Sequence, residues 1–289
     1  MKQSSTQASI EALAEKIRKA DAIVIGGGSG LSSAAGYNHY HWMPQMESAL
    51  RSFVEYYGFT SPFAGFYHCY PSPEAQWGYY SQYIRCMSQA PTGVPYEDLR
   101  AITEDKPTFV LTTNIDGQFS RVFSEDQICC YQGDFRYWQC SQPCHDQLYE
   151  NSAAVQEMTR QLRGVCIPSD LIPRCPECGR IMVPWVRDDT FLEGSKWKAS
   201  VDHYHDFLRH WLLEQTGKNV LLLELGVGEM TPSIIKLPFW EMTTKNETVF
   251  YACVNQKQSS APEHLVGKSM YISADLADTL HQVRTLIEL

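Results

Sequence analysis

Ala22-Ile23-Val24-Ile25-Gly26-Gly27-Gly28-Ser29-Gly30-Leu31 is the stretch whose reading decides the fold. The apolar residues make a short strand, the glycines end it in a tight turn, and Leu31 to Ala35 starts a helix. Strand, turn and helix form the opening unit of a dinucleotide-binding fold. Gly26, Gly28 and Gly30 let backbone amides approach a pyrophosphate at a helix N-terminus, where the dipole favours anions. The strict G-x-G-x-x-G form would put a third glycine at Leu31, so a generic dehydrogenase is disfavoured. The alternative is a tight strand–helix turn that holds no ligand.

Outward from this turn, Ile10, Leu13, Ala14 and Ile17 recur at helical spacing between residues 10 and 20. Pro107 to Thr113 reads as a second buried strand. Asn114 and Asp116 lie just beyond its C-terminal end, where open α/β sheets bind ligands, so Asp116 is expected on a strand-end loop rather than in the core. Gln127 to Tyr131 is a third strand. Asn219 to Leu225 and Thr248 to Val254 are further strands, ending in Gly226-Val227-Gly228 and at Asn255. Val201 to Glu214 is a helix, Met270 to Ile272 the last strand, and Leu276 to Ile287 the last helix. Strands alternating with helices predict an α/β fold, a Rossmann-like and mostly parallel sheet. The stretch from Tyr37 to Ala90 is rich in Tyr, Phe, Trp and Met and reads as a helical or irregular insert whose aromatics form core. The expected division is a discontinuous Rossmann domain (residues 1–37, 101–136 and 181–289), a helical insert covering the cofactor (38–100) and a small zinc-ribbon module (137–180).

The chain has 289 residues, 44% of them hydrophobic, and a net charge of −9. That is ample for a real core. A chain this acidic does not present the positive field that a nucleic-acid backbone requires, so no nucleic-acid partner is expected. No run reaches the length of a membrane span. Met1 to Ser9 is polar and lacks a hydrophobic signal core, so the expected compartment is the cytoplasm.

Without a signal peptide, ten cysteines in paired spacing point to metal rather than disulfides. Cys175-Pro176-Glu177-Cys178 is a C-x-x-C knuckle followed by Gly179. Cys140 and Cys144 are spaced one residue wider. Four thiolates in two close pairs suit tetrahedral zinc, and a closed set of protein ligands makes it structural. His145 is an alternative to Cys144, and free or redox cysteines are the alternative to metal. Cys69, Cys86, Cys129, Cys130, Cys166 and Cys253 read as core residues.

The order of these motifs carries a resemblance. A glycine turn, Thr112-Thr113-Asn114-Ile115-Asp116 as T-x-N-I-D, Gln132-Gly133 at a His-Gly position, two cysteine pairs, Gly226 to Gly228 and Asn255 follow one another as in a sirtuin. The chain resembles that family over most of its length. The resemblance implies a Rossmann domain, a small zinc module, and NAD consumed as a substrate. It implies cofactor contacts from Gly26, Gly27, Gly28, Ser29, Gly30, Leu31, Ser33, Asn114, Asp116, Gln132, Gly226, Val227, Gly228, Asn255 and Asp275.

The departures narrow it. Where deacylases carry G-I-P-x-F-R, this chain has Ala34-Ala35-Gly36-Tyr37-Asn38-His39. Where they carry a catalytic His, it has Gln132. Where they have an apolar substrate strand ending in F-G-E, Pro184-Trp185-Val186 runs into Arg187-Asp188-Asp189. This set is similar to the microbial class M sirtuins. Those resemble protein ADP-ribosyltransferases linked to a macrodomain partner and to a lipoyl-carrying acceptor of the glycine-cleavage H type.

The chemistry agrees. Deacylation needs a base to activate a ribose hydroxyl, and an amide side chain accepts no proton near neutral pH, so Gln132 is not that base. Cleaving the nicotinamide bond needs orientation and charge stabilisation more than a base. Asn114 can hold a ribose hydroxyl or a water, Asp116 the nicotinamide carboxamide, and Gln132 the ribose. Arg187 can neutralise a phosphate or position an anionic acceptor. The plainer alternatives are a strand-end cap and turn for Asn114 and Asp116, and an ion pair with Asp188 or Asp189 for Arg187. His39, His41 and His68 are candidate substitute bases, and ordinary polar or core histidines otherwise. An NAD-dependent protein ADP-ribosyltransferase is expected, with a deacylase using another base and a non-catalytic NAD or ADP-ribose sensor as rivals.

Overall fold

The computed structural model describes residues 2–229, 231–256 and 262–288. Met1, in the stretch read above for a signal core, lies outside them, as do Met230, residues 257–261 and Leu289 of the 181–289 span. Helix α1 (Lys2–Lys19) buries Ile10, Leu13, Ala14 and Ile17, the positions at helical spacing. Strand β1 (Ala22–Gly27) is buried at every position and continues through Gly26 and Gly27 instead of stopping at Ile25. Helix α2 (Ser29–Ala34) follows at once.

Helices α3 (Pro44–Tyr57), α4 (Pro62–Phe66) and α5 (Pro73–Gln89) build most of the insert, each with proline in its first turn, where the missing N–H breaks no helix bond. Ser61 and Ser72 cap α4 and α5 by accepting the N–H of Ala64 and Ala75. Helix α6 (Val94–Ile102) leads to β2 (Thr108–Thr112) and β3 (Ile128–Cys130). The cysteine-bearing region holds β4 (Gly133–Cys140), β5 (Tyr149–Glu150), α7 (Ser152–Gln161) and β6 (Met182–Val186). Then come α8 (Ser195–Arg209), β7 (Val220–Leu225), α9 (Lys236–Lys245), β8 (Val249–Val254), β9 (Ser269–Ile272) and α10 (Leu276–Glu288).

Six strands form one sheet in the order β3-β2-β1-β7-β8-β9, every pair parallel. Counted within the sheet this is 3-2-1-4-5-6, the Rossmann order, and the order reverses between β1 and β7. Strands β1, β2 and β7 are buried throughout, because helices cover both faces of a parallel sheet. On one face Ile23 and Ile25 pack with residues of α1, α6 and α10; on the other Val24 packs with Tyr204 of α8 and Phe239 of α9. Strand β7 also hides a charge the apolar reading overlooked. Glu224 is fully buried and accepts Lys236 Nζ–H at 2.6 Å and the Tyr251 hydroxyl at 2.6 Å, which satisfies a group too costly to bury alone.

The second sheet is antiparallel, β5-β4-β6. It starts at Gly133 and closes at Val186, wider than the 137–180 expected from the cysteines. The insert and the cysteine-bearing region, expected as separate modules, share one core: Met46, Phe53, Tyr79 and Tyr83 pack in the same cluster as Phe135, Trp138, Val155 and Cys175. Most insert aromatics are core, as expected, but Tyr40, Tyr56, Phe63 and Tyr67 are exposed. Cys69 is also exposed, against its reading as core. Among the described residues no helix is long and apolar enough to cross a membrane.

Candidate functional site

The turn after β1 and the turn after β7 lie back to back at the point where the strand order reverses. The Gly28 N–H donates to Leu225 O at 3.0 Å and the Gly30 N–H to Gly226 O at 2.9 Å. A Cβ on Gly28 would sit 2.6 Å from Val227 Cα, and one on Gly30 would sit 2.7 Å from Gly226 Cα. These glycines are therefore required first by the approach of two backbones, and their amides serve that contact. Gly26 and Gly27 lie inside β1, where a Cβ would meet Ile235 and Phe119 side chains at 2.4 Å. Gly226 has φ of +62°, and its Cβ would lie 2.6 Å from Leu31 N. Gly226→Ala should cost about 1–3 kcal/mol from the backbone conformation alone, and more from the clash. Urea unfolding with NAD calorimetry checks this. Wild-type stability and affinity in that variant would show that the turns do not meet so closely.

Strand β2 brings Asn114 and Asp116 to the same crevice. Thr112 Oγ1 donates to Gly27 O at 2.9 Å and accepts the Asn114 N–H at 2.9 Å. The Asn114 side-chain amide donates to Gly28 O at 2.9 Å and to the Tyr96 hydroxyl at 3.4 Å. Both its N–H donors are thus engaged, and Oδ1 is the group it can offer a ligand. Asp116 sits on the loop after β2, as expected, but it is buried there, 5% exposed. Its Oδ1 accepts the Gln118 N–H at 3.0 Å and its Oδ2 accepts the Ser32 hydroxyl. Tyr96, within 3.4 Å of Ser32 Oγ, closes the network. Burial, reinforced by Asp116, pushes the Tyr96 hydroxyl well above its ordinary range, so it stays protonated.

Ser32, Tyr96 and Gln118 were not foreseen. Ser33, the serine the resemblance points to, bonds back along its own helix, to Ser29 O at 3.0 Å. One register signal could have found Ser32: it sits beside Leu31, the buried position of a short helix. Tyr96 and Gln118 carry no such signal, because each reaches the site only through the fold.

Gln132 precedes β4, and its carbonyl accepts the Arg187 N–H at 3.0 Å. Among the described residues its side chain makes no hydrogen bond within the protein. Arg187 pairs with Glu193 at 2.7 Å, not with Asp188 or Asp189, and its Nε donates to Tyr131 O at 3.3 Å. Asn255 donates to Val227 O at 3.0 Å, tying the end of β8 to the β7 turn. Asp275 accepts the Asp278 N–H at 3.0 Å at the start of α10 and Gln256 Nε2 at 2.9 Å, the geometry of a helix cap.

Of the three histidines only His39 reaches this region. Its Nδ1 meets the Tyr83 hydroxyl. Burial holds the imidazole below its ordinary range, with Asp116 opposing. His41 is exposed, and His68 is packed among the rings of Tyr57, Phe59 and Tyr70.

Cys140, Cys144, Cys175 and Cys178 bring their sulfurs within 4.8 Å of one another. The closest pairs are Cys140–Cys178 at 3.5 Å and Cys144–Cys175 at 3.6 Å. A tetrahedral ion with Zn–S bonds of about 2.3 Å holds its sulfurs about 3.8 Å apart. The cluster fits structural zinc, and the four thiols suffice without His145. That histidine stands beside them, 3.2 Å from Cys144 Sγ, with its other nitrogen 2.9 Å from the Tyr149 hydroxyl.

No family model matches the chain. It is 31% identical over 271 residues to a protein ADP-ribosyltransferase of Staphylococcus aureus, covering 92% of this chain and 84% of that protein. It is 28% identical over 258 residues to a probable bifunctional ADP-ribose hydrolase/ADP-ribosyltransferase of Fusarium oxysporum f. sp. cubense, covering 85% of this chain and 42% of that protein. Its fold is similar to a solved Sir2 structure bound to a propionylated peptide, with a TM-score of 0.60 at 16% identity, covering 96% of this chain and 97% of that one. A Sir2 homologue–NAD complex matches with a TM-score of 0.60 at 14% identity, covering 96% of this chain and 93% of that one. With this identity over nearly the whole chain, the chain belongs to the protein ADP-ribosyltransferase family, and its fold is that of the sirtuins.

Proposed function

We propose that the protein cleaves nicotinamide from NAD and transfers the ADP-ribose to a lipoyl-carrier protein of the glycine-cleavage H type. The observation that carries the transfer reading is Gln132: an amide stands before β4 where a deacylase places its base, and among the described residues its side chain has no hydrogen-bond partner. NAD lies across the crevice between β1 and β7, in contact with residues 26–31, Ser33, Gly226 to Gly228, Asn255 and Asp275. Asn114 offers Oδ1 to a ribose hydroxyl, Asp116 holds the carboxamide, Gln132 the ribose, and Arg187 an anionic group. The reaction needs these groups to orient and to stabilise charge, and no proton has to leave through Gln132.

The acceptor comes from the class M resemblance. The fungal relative's name joins an ADP-ribose hydrolase to a transferase in one chain, which supports an ADP-ribose hydrolase as functional partner; that this partner is a macrodomain protein comes from the same resemblance. We place the protein in the cytoplasm. The test is incubation with labelled NAD and a cell lysate, with and without lipoylated carrier protein. Labelling of the carrier supports the reading. An acylated ADP-ribose product instead indicates a deacylase, and no nicotinamide release indicates a sensor. Acetyl-lysine peptides should not be deacetylated measurably, and Gln132→Ala should slow transfer by about 10²-fold if one ribose hydrogen bond acts mainly in the transition state. Robust deacetylation without protein labelling would overturn this.

A further inference from the structure

Arg187 is held by more than its pair with Glu193. Its guanidinium carbon lies 4.2 Å from the centre of the Phe191 ring, 5.2 Å from Trp197 and 5.3 Å from Tyr131. The three rings come from separate places: the end of β3, the loop after β6, and the first turn of α8. Trp197 also donates its Nε1–H to Tyr131 O at 3.2 Å. That carbonyl is the one that accepts from Arg187 Nε. The Trp197 and Tyr131 rings meet with centres 5.4 Å apart at 63°. Phe191 is backed in turn by Trp185, stacked at 5.3 Å and 12°.

The start of α8 is itself pinned. Both carboxyl oxygens of Asp146, from the cysteine-bearing region, accept the Ser195 N–H at 2.9 Å. A Cβ on Gly194 would lie 2.0 Å from Asp146 Oδ1, so Trp197 enters its position from a fixed helix end. What this assembly holds is a guanidinium enclosed by rings. Arg187 Nη2 is buried and has no hydrogen-bond partner among the described residues, while the Arg187 main chain is laddered to Gln132. A buried donor left unpaired is expensive, and each such group calls for an explanation. Arginine also loses much rotamer freedom when fixed. Three rings around a single guanidinium are a large investment in fixing it.

We propose that Trp197 is a positioning residue: it clamps Arg187 against Tyr131 and so fixes the guanidinium that the proposed function assigns to an anionic group. This rests on the reading of Arg187 as a site residue.

The test is a double-mutant cycle on the full chain with Trp197→Leu, Trp197→Phe and Arg187→Ala. It reads kcat and KM for nicotinamide release from NAD with a cell lysate as acceptor source, and the NAD Kd by calorimetry. Trp197→Leu should reproduce the Arg187→Ala split between Kd and turnover, with a loss of roughly ten- to a hundred-fold, since a group misplaced by about 1 Å can cost that much. The double variant should be no worse than Arg187→Ala alone. Trp197→Phe keeps a ring and loses the N–H, and should retain most of the activity. Should Trp197→Leu lose its circular-dichroism signal, Trp197→Met, which fills the space without a ring, takes its place in the cycle with the same expected loss. Additive losses, or a Trp197→Leu variant as active as the wild type, would overturn the proposal. A silent Arg187→Ala would overturn it too, while labelling of a protein by the wild type would still stand; the two failures are thus read apart.

Discussion

Cys175→Ser removes the metal and unfolds more than the cysteine-bearing region. Metal analysis of the wild type should give about one zinc per chain, as a closed four-thiolate set requires, and the variant should give far less. Structural zinc contributes on the order of 10 kcal/mol in small modules, as much as a whole domain commonly has in reserve, roughly 5–15 kcal/mol. Here the loss has little to absorb it. Strand β5 has two residues and β6 five, so the small sheet cannot stand on its ladder alone. Cys140 and Cys175 are also buried members of the cluster that holds α3 and α5, so the damage reaches the insert. Thermal unfolding of wild type, chelator-treated wild type and Cys175→Ser measures it, with protection of the insert amides from hydrogen exchange as a second readout. A metal-free protein of unchanged stability would refute the assignment.

Asp116→Ala should abolish nicotinamide release and should also weaken the fold. A residue on an open strand-end loop could be removed without structural cost, but Asp116 is buried and holds two donors. Removing the carboxyl leaves the Gln118 N–H without this acceptor and the Ser32 hydroxyl with only its 3.4 Å contact to Tyr96, at about 1–3 kcal/mol for a group left unpaired. A lost activity in that variant would be ambiguous. Asp116→Asn resolves it, because the amide keeps an acceptor and the shape of the side chain. Its urea midpoint should stay nearer the wild type, while turnover falls by about 10²-fold or more if the carboxyl contributes charge at the reacting ring. Wild-type turnover in Asp116→Asn would place the nicotinamide contact elsewhere.

Short-range chemistry in the chain determined much of this. The apolar run before Gly26, the strand at 220–225 and the periodicity of residues 10–17 each dictate a buried element by themselves, because burial and backbone geometry are set within a few residues. The spacing of Cys140, Cys144, Cys175 and Cys178 was enough to expect a metal cluster, since a tetrahedral ion constrains sulfurs that neighbouring residues already bring close. That Gln132 accepts no proton near neutral pH was legible, because that is a property of one side chain; that its position is one where a base belongs came from the resemblance.

Long-range contacts decided the rest. The back-to-back glycine turns depend on β1 and β7 being neighbours, although about two hundred residues separate them in sequence. Ser32, Tyr96 and Gln118 join Asp116 only because α2, α6 and the loop after β2 converge, and no spacing rule reports that. The same holds for the shared core that merges insert and cysteine-bearing region, and for the Glu224–Lys236 pair, an ionic contact inside what reads as an apolar strand. Arg187 shows the limit most sharply: its nearest acids in sequence are Asp188 and Asp189, yet packing against Phe191 and Trp197 turns it to Glu193. Which partner a long flexible side chain takes is settled by the surfaces that close around it, and those exist only in the tertiary structure.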